Sequence, residues 1–175
     1  MMIGETKAQT DKMMLYSDGF LNYVKSAEND QLFKTGTGVI QKSPEGGNDT
    51  VGYGHKLTDE EIKTGKVYGY DINTLNKNQA NTILIRDLEE KNNILTNKLG
   101  TAYTDLDSRR KQMLLDIQFN VKGGVDSFPK FTEAVLDNDK DTMQKEYKRY
   151  FQNQQGEYVE LARNKQFSSF FFDGE

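Results

Sequence analysis

Over residues 76–99 the stretch "NKNQANTILIRDLEEKNNILTNKL" sets Ile83, Leu84, Leu88, Ile94, Leu95 and Leu99 on a helical period, with no glycine or proline to interrupt it. So long a helix constrains the rest of the chain, because it separates two textures. Over residues 31–57 short β-prone pieces ("LF", "GVIQK", "TVGYG") alternate with the turn signals "KTGTG" and "SPEGGND", which predicts a small antiparallel sheet. Beyond residue 99 the pattern is helical. "TDLDSRRKQMLLDIQFNVKGG" can be capped by Thr104 or Asp107 and is stopped by Gly123 and Gly124, and further helices are predicted over 128–136, 140–151 and 159–172.

Two shorter helices complete the pattern. In "SDGFLNYVKSAEN", Asp18 can cap a helix with Phe20, Leu21, Val24 and Ala27 on one face, which puts Glu28 at its C-terminal end. A carboxylate gains nothing from the helix dipole there, since that end favours cations. "TDEEIKTGK" starts with Thr58 followed three residues later by Glu61, the pattern of a capping box. The architecture expected is α+β: a small antiparallel sheet lobe over about 29–75, and a larger helical lobe over about 76–175 that includes the first helix. The long helix joins them, with a cleft between, and residues 1–17 stand outside as a polar extension.

Charge and composition remove several classes of function. The net charge is −4, with 8 basic and 10 acidic groups in residues 1–70 and 15 and 17 in the remainder, so neither half is built to hold a polyanion such as nucleic acid. Arg109, Arg110 and Lys111 read as the solvated face of a helix. The chain contains no cysteine, which excludes disulfides and thiolate metal sites. "DNDKDT" (137–142) copies the alternating acids of a calcium loop but has Thr142 where a glycine is needed and Lys148 where a glutamate should close it, so it reads as a turn linking helices. No metal or cofactor is expected. The sequence has neither an 18-residue apolar run nor the apolar core of a signal peptide, so membrane insertion and self-export are not expected either.

The segment "TVGYGHKLT" (50–58) gathers a threonine, two glycines around a tyrosine, and the only histidine. "GYGHKL" lacks the third glycine of a dinucleotide fingerprint, no Gly-Lys-Ser/Thr phosphate loop exists, and His55 has no serine or cysteine pattern that would make it a triad member. Carboxyl groups at a helix end (Glu28) and on a hairpin (Glu45, Asp49), with Thr50 on the returning strand, instead suit glycoside hydrolysis. One acid must protonate the leaving oxygen while a second group meets the developing positive sugar centre.

Glu28 at a helix end, then a hairpin, then Thr50 directly before "VGYGHKLT" resembles the signature of phage-type lysozymes, the T-even phage endolysin family. "LDSRRKQMLLDIQFNVKGGVDSFPKFTEAV" and "LARNKQF" are similar to later segments of that family, in the same order. The resemblance implies a muramidase that cleaves the β-1,4 bond between N-acetylmuramic acid and N-acetylglucosamine in peptidoglycan, with inversion and without cofactor. It assigns Glu28 as general acid and Thr50 as holder of the attacking water. Lys56 would lie on the rim, Phe119 and Asn120 on the wall, and Arg163 near Glu28, helping to set its ionisation. His55 matches the family's structural histidine, paired with Asp87 or another acid.

The hairpin is where the sequence departs from the family. Glu28 and Thr50 are 22 positions apart, a longer spacing, and no aspartate stands where the family has one. Glu45 is the nearest acidic match, Asp49 adjoins Thr50 and should point to the opposite face of the strand, and Ser43 could fill the place with no acid at all. The acidic net charge also departs from the basic, well-known members. Residues 1–17 have no counterpart in the resemblance and read as a virion attachment or a flexible leader. The expected setting is phage-mediated lysis by a monomer held in the host cytoplasm until a holin admits it to the wall, or carried into the wall with virion proteins. Competing functions are a lytic transglycosylase and a wall-binding module without turnover.

Overall fold

The computed structural model describes residues 6–42 and 47–173, arranged as two compact units. One comprises Asp18–Glu90, and the other joins the chain up to Ser17 with Lys91 onward. The fold is α+β and lysozyme-like, helical for the most part with small antiparallel sheets.

The Asp18–Glu90 unit begins with α2 (Asp18–Thr35), whose helical geometry breaks at Asn29 (φ −152°, ψ 78°). Glu28 is thus the last residue before the break. Beyond it the chain turns helical again, so the "LF" piece predicted as β is helix, and it buries Leu32 completely. Asn29 explains this: its Oδ1 accepts the Leu32 N–H at 3.1 Å, three residues on, as an N-cap does. The sheet follows as β1 (Ile40–Gln41), β2 (Thr50–Val51) and β3 (His55–Lys56), antiparallel in that order, with Thr50 between Gln41 and Lys56.

α3 (Asp59–Thr64) has the expected capping box, in which Thr58 Oγ1 accepts from Glu61 N at 3.2 Å and Glu61 accepts from Thr58 N at 2.9 Å. A hairpin of β4 (Lys66–Val67) and β5 (Tyr70–Asp71) leads into α4 (Lys77–Leu99), the long helix predicted over 76–99. Val51, Leu57, Val67, Leu75 and Ile83 form the core here, with Val39, Tyr70 and Ile72 packed around it. The sequence pattern places α2 with the helical lobe, whereas its contacts group it with the sheet.

In the other unit, α1 (Lys7–Leu15) is a capped helix, with Thr6 and Gln9 forming a capping box. The extension is therefore no flexible leader over these residues. Leu15 is buried, and Gln112 Nε2 donates to the Leu15 carbonyl at 2.9 Å, tying the end of α1 to α6 (Ser108–Asn120). α5 (Thr101–Thr104) precedes α6, whose N-cap is Asp107. A 3-10 turn (Gly124–Ser127) and α7 (Pro129–Asp137) come next. Asn138 then turns left-handed and Asp139 caps α8 (Lys140–Glu146), so "DNDKDT" does link helices. Among the described residues no acidic or histidine cluster could hold a metal, and no helix is long and apolar enough to cross a membrane.

Two expectations fail in this unit. Helices are predicted over 140–151 and 159–172, but the chain leaves α8 at Glu146 and forms a hairpin of β6 (Tyr150–Gln152) and β7 (Tyr158–Glu160) before α9 (Arg163–Phe171). Tyr150, Phe151, Tyr158 and Val159 are strand formers flanking Gly156, whose φ of 80° suits a turn and not a helix. The basic triplet is likewise no idle solvated face. Arg109 donates to the Phe171 carbonyl, and Arg110 to Asp107 (2.6 Å) and the Val135 carbonyl (3.3 Å). The core is aromatic, with Phe167 packed against Phe131, Tyr147 and Phe171 at centroid distances of 5.9, 5.5 and 4.5 Å.

Candidate active site

The break in α2 leaves Glu28 half-buried on the β2–β3 turn. Gly54 in that turn has φ 87°, and a Cβ placed on it would lie 2.7 Å from Glu28 Oε2 and 3.1 Å from Cδ. A side chain at position 54 would be strained by the backbone conformation and would displace the carboxyl group seated there. Gly52, at φ 61°, sits close against α4, where its Cβ would come within 3.2 Å of Ala80 Cβ. The two glycines of "GYG" thus have separate tasks: one lets the turn pack on α4, and the other gives the carboxyl group its place.

Three of the residues picked out by sequence share this unit. Glu28 meets the turn, Thr50 is partly buried on the strand entering it, and Lys56 is exposed on the strand leaving it. Asp49 is drawn to Lys42, Nζ to Oδ2 at 2.9 Å, and its carbonyl accepts the Leu57 N–H at 3.0 Å. Glu45 and Ser43 lie outside the described residues.

His55 is held from both ring nitrogens. Nδ1 is 2.8 Å from Asp87 Oδ2 and Nε2 is 3.0 Å from Glu61 Oε2, while Tyr68 donates to the other Asp87 oxygen at 2.7 Å. Burial disfavours its charged form, but the two carboxylates outweigh burial and push the imidazole up to about 9. An imidazolium locked between two acids braces the β3–α3–α4 corner and has no nitrogen left to act as a base. Asp87 proves to be its partner, as one of two.

Phe119, Asn120 and Arg163 belong to the other unit. Phe119 is half-buried and Asn120 exposed near the end of α6. Arg163 donates to Asp116 Oδ1 at 2.5 Å, Arg149 donates to Asp116 Oδ2 at 2.6 Å and to Asn120 Oδ1 at 2.8 Å, and all three charged groups are buried. Burial would raise the Asp116 carboxyl, but Arg163 and Arg149 prevail and hold it below the usual carboxylate range. Asn164 then clamps the Arg149 backbone, accepting its N–H and donating to its carbonyl at 2.8 Å each. Sequence reasoning misses Asp116, Arg149 and Asn164. An aspartate inside the apolar run of α6 was the available signal, since a buried charge demands partners.

The α+β fold is that of a lysozyme-like protein, with a helix-end glutamate seated on a Gly-x-Gly turn next to a strand threonine. The family model for phage lysozyme matches residues 35–166, and the chain belongs to that family. The match spans Thr50, Lys56, Phe119, Asn120 and Arg163, and begins seven residues after Glu28. Neither curated proteins nor solved structures gave a match. Membership puts the chain among muramidase-type peptidoglycan hydrolases.

Proposed function

We propose that the protein hydrolyses the β-1,4 bond between N-acetylmuramic acid and N-acetylglucosamine, with Glu28 as general acid. The observation that carries this reading is the seat of Glu28, where a glycine at φ 87° meets the carboxyl group at the break of α2, four residues along the chain from Thr50. Glu28 delivers its proton to the glycosidic oxygen as the bond to the anomeric carbon breaks. Thr50 holds a water against the opposite face of the sugar, and Glu45 draws off that water's proton as it attacks. Attack from the far side inverts the anomeric centre, an outcome that requires acid and base about 6.5–9.5 Å apart. For the remaining positions the family resemblance supports Lys56 in the one unit, and Phe119, Asn120 and Arg163 in the other, as substrate-binding residues. In the phage the activity serves host lysis or wall penetration, with access supplied by a membrane-permeabilising partner or by the virion.

Glu28→Gln tests the reading, because glutamine keeps the shape and cannot deliver the proton. Clearing of outer-membrane-stripped Gram-negative cells should fall by about 10²–10⁴-fold, the usual contribution of general acid catalysis, with the melting temperature unchanged. Retention of more than about a tenth of wild-type activity would remove Glu28 from the role. The products decide the rest. An α-anomeric reducing end supports inversion, a 1,6-anhydro end replaces the hydrolase by a transglycosylase, and wall binding without lysis leaves a non-catalytic module.

A further inference from the structure

A catalytic group at the end of a helical segment needs something to hold it, because a misplacement of about 1 Å can cost about 10²-fold in rate. The residue after Glu28 is Asn29, which is 2% exposed. Its side-chain amide makes three hydrogen bonds. Oδ1 accepts the Leu32 N–H at 3.1 Å, while Nδ2 donates to the Gly38 carbonyl at 2.8 Å and to the Gly52 carbonyl at 3.0 Å. Both amide hydrogens are thereby used. Gly38 lies two residues before β1, and Gly52 lies between Thr50 and the Gly54 seat of the Glu28 carboxyl group.

We infer that Asn29 is a positioning residue for the reaction, fixing the Glu28 backbone against the Gly52–Gly54 turn and hence against the strand that carries Thr50. Capping the second half of α2 needs only the accepted bond from Leu32. The two donated bonds reach 9 and 23 residues along the chain and contribute nothing to a cap. They join the broken helix to both segments of the hairpin, and a loss of either lets the helix end swing relative to the turn. The inference rests on Glu28 being the acid, since what is positioned is its carboxyl group.

The functions of Asn29 can be separated by substitution. Serine is as good an N-cap as asparagine but is too short to donate to both carbonyls, and aspartate keeps the size and the cap while losing both donors when ionised. Asn29→Ser and Asn29→Asp should each fold, and at a temperature well below melting should lower kcat on solubilised glycan strands by about 10–100-fold with KM within about twofold. A kcat within about twofold of wild type in either folded variant overturns the inference, as does a loss carried by KM alone. If neither variant folds, Asn29 belongs to the fold before catalysis and the inference fails. Glu28→Gln, measured alongside, separates the two readings. An active Glu28→Gln enzyme sinks the acid assignment, whereas an inactive one beside a fully active Asn29→Ser enzyme sinks only the positioning role.

Discussion

In the Asp18–Glu90 unit a cation sits between two anions, and in the other unit an anion sits between two cations. His55 bridges Asp87 and Glu61, while Asp116 bridges Arg149 and Arg163. The two triads differ in more than sign. Asp116 is fully buried and its partners nearly so, whereas the His55, Asp87 and Glu61 side chains keep 12%, 10% and 19% of their exposure. Guanidinium groups do not deprotonate in the accessible pH range, so the Asp116 triad is lost only through its carboxylate at low pH. The His55 triad has the same acid limit, because against burial the Thr58 backbone and His55 hold the Glu61 carboxyl below its usual range, and it is lost in addition through its centre at high pH. One fold thus carries two clasps, of which only the shallower one also opens at high pH.

The largest effect should come from emptying the deeper triad. Asp116→Asn leaves two guanidinium groups buried without an anion and should destabilise the fold by about 3–5 kcal/mol, measured by urea unfolding at pH 7. A cost below about 1 kcal/mol, the range of exposed ion pairs, would mean that water reaches the site and that the contrast in burial is false.

His55→Gln should cost about 2 kcal/mol, a value reduced by the triad's partial access to solvent. Its signature is the pH dependence. The folded imidazole titrates at about 9 against an ordinary 6.5, so its contribution is complete below about 6.5 and disappears as pH rises through about 9. The stability difference between wild type and His55→Gln should therefore be flat from pH 5 to 6.5 and shrink toward pH 10. A difference that grows with pH would place the histidine neutral in the fold. Asp116→Asn should behave in the opposite sense. Because the native carboxyl is depressed, its stabilisation is present above the unfolded carboxylate value and is lost as pH falls through the native one.

The smallest effect tests the rim of the shallower triad. Tyr68 donates to Asp87 at 2.7 Å while its ring carries Arg86 at 5.1 Å, so Tyr68→Phe removes the hydrogen bond and keeps the ring contact. About 1 kcal/mol of stability should go, with the histidine titration detected by NMR moving up, since Asp87 loses a donor that competes with the imidazolium. A shift downward would show that Tyr68 supports the ion pair through orientation of Asp87.

Much of the chain's local structure was legible because its causes lie within a few residues. The 3.6-residue period of α4, the Thr58–Glu61 box and the Asp107 cap are each complete in a short window. So was the grouping of Glu28, Thr50 and "GYGH" in one place, although the sequence could not show that Gly54 is the seat of the Glu28 carboxyl group. Asn29 was readable as an N-cap and was passed over, which is why Leu32 and Phe33 were expected in a strand. The hairpin at 150–160 was lost because its strand formers are brief and a helical period can be drawn through them.

Sequence by itself determined the family, through motifs in a shared order, and the α+β class, the long helix and the helix caps, which follow from periodicity or from hydrogen bonds that close over three or four positions. Tertiary structure decided the partners. Glu61 caps its own helix and also holds His55, and Arg163 is committed to Asp116 across 47 residues. Asn29 spends its two donors on carbonyls that only folding brings within 3.0 Å. A charged or amide side chain can satisfy several alternative partners equally well in the unfolded chain. Which of them it meets depends on how the apolar faces pack, and that packing sums contacts too distant along the chain for any local pattern to encode.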